Sequence, residues 1–161
     1  NKMNIEIIPF QPEYAQDFKN LNIAWLKKYF WVEPHDEEVL GKPEKHIIEP
    51  GGTIFFVKQD EEIIGTVALM KMEEGVFELT KMAVTPNAQG NNIGQELMEH
   101  TLKFAKKQGW KHLIIFSNRK LENAIHIYKK YGFKEIPIGE NNPYARGDIK
   151  MKLDLATVSS Y

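Results

Sequence analysis

The chain has no cysteine, which excludes disulfides, cysteine nucleophiles and thiolate metal sites. It also lacks an apolar run of about 18 residues, and its first residues carry no apolar signal core, so a cytoplasmic protein without a membrane partner is the default expectation. Charge of one sign is missing too. Lys and Arg number 21 against 22 Asp and Glu, a formal net charge of −1, so there is no electrostatic footprint for nucleic acid. The five histidines fall at no metal-binding spacing, and no metal is expected. Repeats and linker-like segments are absent as well. The 161 residues fit one domain, expected over residues 1–155, with 156–161 as a flexible tail.

What is present centres on Phe77 to Gln95, FELTKMAVTPNAQGNNIGQ. A strand from Phe77 to Val84 breaks at Pro86, passes a polar turn containing Gly90, and enters a helix at about Asn92, with Gly94 in its first turn. Such a helix start presents free backbone N–H groups and the positive end of the helix dipole, a ready anion site. Each N–H bond to a charged oxygen is worth roughly 1.5–3 kcal/mol. Glycines also serve tight strand-to-helix packing, and the turn alone leaves both roles open.

Around this stretch the pattern is mixed α/β. Asn4 to Pro9 is a short strand. Tyr14, Phe18, Leu21, Trp25 and Tyr29 recur at helical spacing from about Pro12, ending before Pro34. Residues 31–51 hold prolines and glycines but also Val39, Leu40, Ile47 and Ile48, so short helical pieces are expected there. Thr53–Lys58 and Glu62–Met72 flank Gln59-Asp60-Glu61 as a hairpin, and Gly75 marks a second turn. Ile93, Leu97, Met98, Leu102 and Ala105 form one stripe closed by Gly109. His112 to Phe116 suits a buried parallel strand. A second stripe, Leu121, Ala124, Ile125 and Tyr128, ends at Gly132, and strands are expected over Phe133–Ile138 and Asp148–Leu155.

Three blocks in order resemble the GNAT superfamily of acyl-CoA N-acyltransferases. ELTKMAV (Glu78 to Val84) is similar to the family's fourth strand. QGNNIG (Gln89 to Gly94) resembles its coenzyme A loop, and NAIHIYKKYGF (Asn123 to Phe133) its final helix motif. The resemblance implies a central, mostly antiparallel twisted sheet of about six to seven strands with flanking helices and a β-α-β crossover. It implies acetyl-CoA as the cofactor. Gln89, Gly90, Asn91, Asn92, Ile93, Gly94 and Gln95 would meet the phosphates, Met82, Ala83 and Val84 the pantetheine arm and thioester, and Asn118 and Asn123 the arm further on. The family usually has glycine where this chain has Asn92. If that position needs positive φ, asparagine is the best-tolerated substitute.

The same resemblance points to acetyl transfer by direct attack of a primary amine in a ternary complex. Tyr128 matches the acid that protonates the leaving thiolate; a core tyrosine is its other role. Glu78 stands where many members place the base, or it is a surface glutamate at a strand edge. Strict alternation puts Leu79 and Lys81 on one face and Glu78, Thr80 and Met82 on the other. Neither face is cleanly apolar, so a bulge is expected. Asn118 is as readily a helix cap. Tyr29 and Glu33, within the aromatic and acidic segment Trp25–Asp36, fall where the family builds its acceptor wall. Tyr144 and Arg146 lie in a turn before the last strand, where Arg146 grips an acceptor carboxylate or pairs with a surface acid. A small amine or amino acid is the expected acceptor, with a protein lysine or N-terminus, or a non-catalytic acyl-CoA sensor, as alternatives. A homodimer is left open.

Overall fold

The structure is a computed structural model that describes residues 4–88 and 92–159. Its strands are β1 (Ile5–Pro9), β2 (Thr53–Gln59), β3 (Glu62–Glu73), β4 (Val76–Val84), β5 (His112–Ser117), β6 (Lys134–Ile136) and β7 (Ile149–Asp154). Its helices are α1 (Ala15–Tyr29), α2 (Pro34–Gly41), α3 (Ile93–Gln108) and α4 (Glu122–Lys130), with a one-turn π-helix at Glu44–Ile48. The strands form one seven-stranded sheet in the order β1-β2-β3-β4-β5-β7-β6. Every neighbouring pair is antiparallel except β4 and β5, which α3 connects as the expected crossover. No helix among the described residues is long and apolar enough to cross a membrane.

Both faces of the sheet are covered. On one, Val57, Leu69, Phe77, Leu79, Leu113 and Ile115 pack with Leu97 and Met98 of α3 and Ile125 of α4. On the other, Ile54, Phe56 and Ala68 pack with Phe18 and Leu26 of α1 and Val39 and Leu40 of α2. That explains why β2 is apolar without alternation across Ile54–Val57, all buried. The deepest face of α1 is Phe18, Asn22 and Leu26, not the expected stripe through Leu21, Trp25 and Tyr29. The helix is rotated so that Trp25 and Tyr29 reach its edge, and the Asn22 amide is satisfied by donating to the Phe18 carbonyl at 3.0 Å.

Two boundaries differ from expectation. β6 is only three residues long, because it is an edge strand held by β7 alone. The tail is not loose where it was expected to begin. Leu155–Thr157 form a 3₁₀ turn capped by Asp154, which accepts from the Ala156 N–H at 3.0 Å. Lys106 Nζ donates to the Leu155 carbonyl at 2.9 Å, and Val158 packs on the core.

One feature positions everything that follows. β4 and β5 pair through only three residue couples, Val76–His112, Phe77–Leu113 and Glu78–Ile114. Beyond them β4 stays with β3 as far as Val84 and β5 with β7 as far as Ser117. The two strands therefore part, and a cleft opens between them.

Candidate active site

The cleft has a volume of about 770 Å³ and passes from one face of the sheet to the other. Leu79 to Val84 and Ile115 to Asn118 are its walls. Asn92 to Gln95, Asn123 and Tyr128 line it from the α3 and α4 side, and Trp25, Tyr29, Phe30, Tyr144 and Arg146 from the α1 side. Thus Met82, Ala83, Val84, Ile93, Gly94 and the other sequence candidates in this set converge on one space. Gln89, Gly90 and Asn91 lie outside the described residues.

At the start of α3, Asn92 is left-handed, with φ 61° and ψ 20°, and its side chain makes no cap bond. Asparagine tolerates this conformation where other side chains strain. Gly94 needs no such freedom, since its φ is not in the left-handed range, and an added Cβ would meet no described atom within 4 Å. Among the described residues, neither backbone nor packing asks for glycine there.

The bulge in β4 falls at Lys81, whose φ is +57°. β3 advances from Thr66 to Ala68 while β4 runs from Ala83 back to Thr80. The extra residue overturns strict alternation: Lys81 joins Glu78 and Thr80 on the α2 side, while Met82 packs with Leu79 in the α3-side core. The left-handed conformation costs a non-glycine residue roughly 1–2 kcal/mol. It places the Lys81 ammonium 3.7 Å from Asp36 Oδ1, with the Lys81 side chain 4% and the Asp36 side chain 1% exposed.

A buried network grows from this pair. Arg146 donates from Nη1 to Asp36 Oδ2 and from Nη2 to Asp36 Oδ1, both at 2.9 Å, and from Nη1 to Glu33 Oε2 at 2.7 Å. The Glu33 N–H donates to Asp36 Oδ2 at 3.0 Å at the start of α2. The Tyr144 hydroxyl donates to Glu78 Oε2 at 2.7 Å, and it also lies 3.2 Å from Thr80 Oγ1 and 3.4 Å from Lys81 Nζ. Burial raises the Glu78 pKa, against the opposing pull of Tyr144 and Lys81. Burial likewise lowers that of Lys81, although Glu78 and Asp36 resist. For Asp36, burial is outweighed by the Arg146 and Glu33 hydrogen bonds and the Lys81 charge, so its carboxyl titrates below the usual value.

Three expectations change in consequence, and for Asn118 one of two open readings is selected. Arg146 does not offer its fork to an acceptor carboxylate, because two protein acids hold it. Glu33 is not an acceptor ligand, being the partner of Arg146. Glu78 is neither at the surface nor in the cleft wall; it sits behind Tyr144, which does line the cleft. Asn118 lines the cleft but is engaged at both ends, its Nδ2 donating to the Arg146 carbonyl at 2.7 Å and its Oδ1 accepting from the Lys120 N–H at 2.9 Å. It caps the turn before α4, whose own first residue is preceded by Leu121.

Tyr128 is on the α4 face, packed against the α3-side core and open to the cleft. Burial pushes its pKa up to about 12, so the phenol is neutral and able to donate across the physiological range.

A model of the acetyltransferase (GNAT) family matches residues 3–133. The chain belongs to the GNAT acetyltransferase family.

Among its relatives, an uncharacterised N-acetyltransferase of Schizosaccharomyces pombe is 27% identical over 138 residues, covering 82% of this chain and 83% of that protein. One of Methanocaldococcus jannaschii is 29% identical over 118 residues, covering 69% of this chain but only 46% of its own length. A GNAT acetyltransferase structure from Staphylococcus aureus superposes with a TM-score of 0.84 at 20% identity, covering 94% of this chain and 99% of that one. The PaiA N-acetyltransferase of Thermoplasma acidophilum, solved with coenzyme A, superposes at 0.72, also at 20% identity and with 94% and 99% coverage.

In this GNAT protein the residues that sequence patterns did not single out are Thr80, Lys81, Phe116 and Lys120. Lys81 had a signal: it is the one cation in a strand with apolar residues on both sides of it, a place where a buried partner is required. Lys120 had none, because its bond to the Tyr29 carbonyl at 2.6 Å joins segments 91 positions apart. Among the described residues, no group of three or more His, Asp or Glu is placed to hold a metal.

Proposed function

We propose that the protein moves an acetyl group from acetyl-coenzyme A to a small-molecule primary amine by direct attack in a ternary complex. The observation that carries this is the parted β4–β5 cleft ending at the start of α3, where Asn92 makes no side-chain cap bond and Gly94 faces open space among the described residues. A polyanionic diphosphate fits that end: the first-turn N–H groups of α3 face it, and the helix dipole favours it. Met82 to Val84, on the part of β4 that has separated from β5, and Asn123, on α4, would hold the arm. Bound there, acetyl-coenzyme A supplies an acyl group activated as a thioester.

The remaining work is proton management by the chain itself. A primary amine of pKa about 10.4 must lose a proton, at a cost of about 4–5 kcal/mol at neutral pH. Tyr144 lines the cleft, and its hydroxyl already donates to Glu78. An amine that displaces the longer contacts of this hydroxyl with Thr80 and Lys81 would hand it a proton as it passes its own to Glu78 Oε2. The raised pKa of Glu78 makes it the stronger base for this. On the other face Tyr128 Oη, neutral and with no hydrogen-bond partner among the described residues, holds a proton for the departing sulfur.

Purified protein, acetyl-coenzyme A and a panel of amines should release free thiol, followed colorimetrically. No release with any amine would defeat the proposal. Tyr128→Phe keeps the ring packed and removes only the donor, so kcat should fall ~10²-fold, the low end for general acid catalysis, because a thiolate of pKa ~8.5 leaves fairly well unaided. Full kcat in the variant would make Tyr128 a packing residue.

Tyr144→Phe tests the relay through pH. The hydroxyl stabilises ionised Glu78, and its loss should push the Glu78 pKa further up. Since Glu78 accepts a proton only when ionised, the acidic limb of kcat/KM should move to higher pH as the rate drops. A slower enzyme with an unmoved limb would take Glu78 out of the proton path.

A further inference from the structure

We infer that the acceptor is a singly charged primary amine carried on a flat apolar body, an arylalkylamine in chemical class, seated between the aromatic side chains of α1 and Phe116. This inference rests on the acetyl-transfer reading of the same cleft.

The first observation is the wall. Trp25 and Tyr29 line the cleft from α1, Phe30 from the residue just past it, and Phe116 from β5. The Trp25 ring is 5.3 Å from that of Tyr29 and 5.6 Å from that of Phe30. These rings are only part-buried, because the deep face of α1 is Phe18, Asn22 and Leu26. Trp25 and Tyr29 on the shallow face of α1, with Phe30 just past its end, turn apolar ring area into the cleft that the fold covers only in part. A flat ring covers such a surface best, since ring pairs add to plain area burial.

The second observation is charge. Among the described residues that line the cleft, Glu122 is the only acid, against Lys81, Lys120 and Arg146. The acids on the α1 side, Glu33, Asp36 and Glu78, stand behind the wall and already face Arg146, Lys81 or Tyr144. A polyamine would bring several positive charges to a face with no carboxylate left to meet them. An amino acid's carboxylate finds one cation at most: Arg146 is held by two acids, and Lys120 already gives one of its three N–H donors to the Tyr29 carbonyl, with its ammonium 4.0 Å from the Phe30 ring centre. The Tyr144 ring has two cations on it, Lys81 at 4.8 Å and Arg146 at 5.0 Å, whereas Tyr29 and Phe116 have one each, Lys28 at 5.1 Å and Lys150 at 5.3 Å. What remains is an apolar slot beside one proton-accepting hydroxyl, which suits one amine and one ring.

With acetyl-coenzyme A saturating, thiol release should give phenethylamine a kcat/KM at least tenfold above phenylalanine and spermidine. Trp25→Leu and Tyr29→Leu should each raise KM for phenethylamine about three- to tenfold, with coenzyme A affinity by calorimetry unchanged. Tyr29→Leu guards against misfolding of the Trp25 variant, as Tyr29 is nearer the surface end of α1. Spermidine or phenylalanine as the better acceptor overturns the inference, and so does a phenethylamine KM indifferent to both substitutions. If acetyl-coenzyme A binds but no acceptor turns over, calorimetry of phenethylamine with coenzyme A-loaded protein decides: binding weakened by Tyr29→Leu supports the slot, and no binding removes it. Failure to bind acetyl-coenzyme A at all would instead strike the acetyl-transfer reading, and this inference with it.

Discussion

Gly94→Val should weaken coenzyme A binding by more than about a hundredfold while leaving the protein folded. The residue is second in α3, has no left-handed φ, and faces open space. Valine is a better helix residue than glycine by a few tenths of a kcal/mol, so the fold loses nothing. Its two methyl groups would stand in front of the first-turn N–H groups. Losing two charge-assisted bonds there, at roughly 1.5–3 kcal/mol each, exceeds the ~2.7 kcal/mol that a hundredfold requires. Calorimetry with coenzyme A, beside a thermal melt, separates the two effects. A variant that binds as tightly as the parent would remove the start of α3 from the site.

Asp36→Ala should destabilise the protein by about 3–5 kcal/mol, the usual result of stranding buried charge. The Asp36 carboxylate takes two bonds from Arg146, faces Lys81 and accepts from the Glu33 N–H, with its side chain 1% exposed. Without it Lys81, with a side chain 4% exposed, loses its ion-pair partner, and Arg146 keeps only Glu33. The pH dependence follows from its lowered pKa. This contribution is complete above the unfolded value of about 3.9 and is lost as pH falls through the lower folded one. Urea melts of parent and Asp36→Ala should therefore lie far apart at pH 7 and draw together in acid. A difference below about 1 kcal/mol at pH 7 would mean that water reaches the network.

Local chemistry made much of this protein legible in its sequence. Asp60, with φ 54°, and Gly75, with φ 79°, turn the two hairpins where the polar breaks stand. Gly109 closes α3 in the left-handed conformation, as a C-terminal glycine should. The conflict of faces in β4 signalled a bulge, and Asn92 signalled a left-handed residue. Neither showed its consequence. The bulged residue of β4 meets Asp36, 45 positions earlier, and the partners of Arg146 lie more than a hundred positions away. Charge alone could not tell a guanidinium waiting for a ligand from one already held. The helix stripe failed in a similar way: Trp25 and Tyr29 are more apolar than Asn22, yet Asn22 is the deeper because its amide finds the Phe18 carbonyl.

The three couples that join β4 to β5 have a mechanical meaning. The sheet is two plates, β1 to β4 and β5 to β7, scored along a short line. A plate scored in this way flexes most easily at the line. A molecule lying along the opening, gripping β4 on one side and α4 on the other, would act as a splint across it. By mass action such a splint adds about 2.7 kcal/mol at a hundred times its dissociation constant. The stiffness of the whole molecule would then report how well supplied it is with its donor. The break in the sheet that makes room for the chemistry also ties the durability of the protein to the abundance of what it consumes.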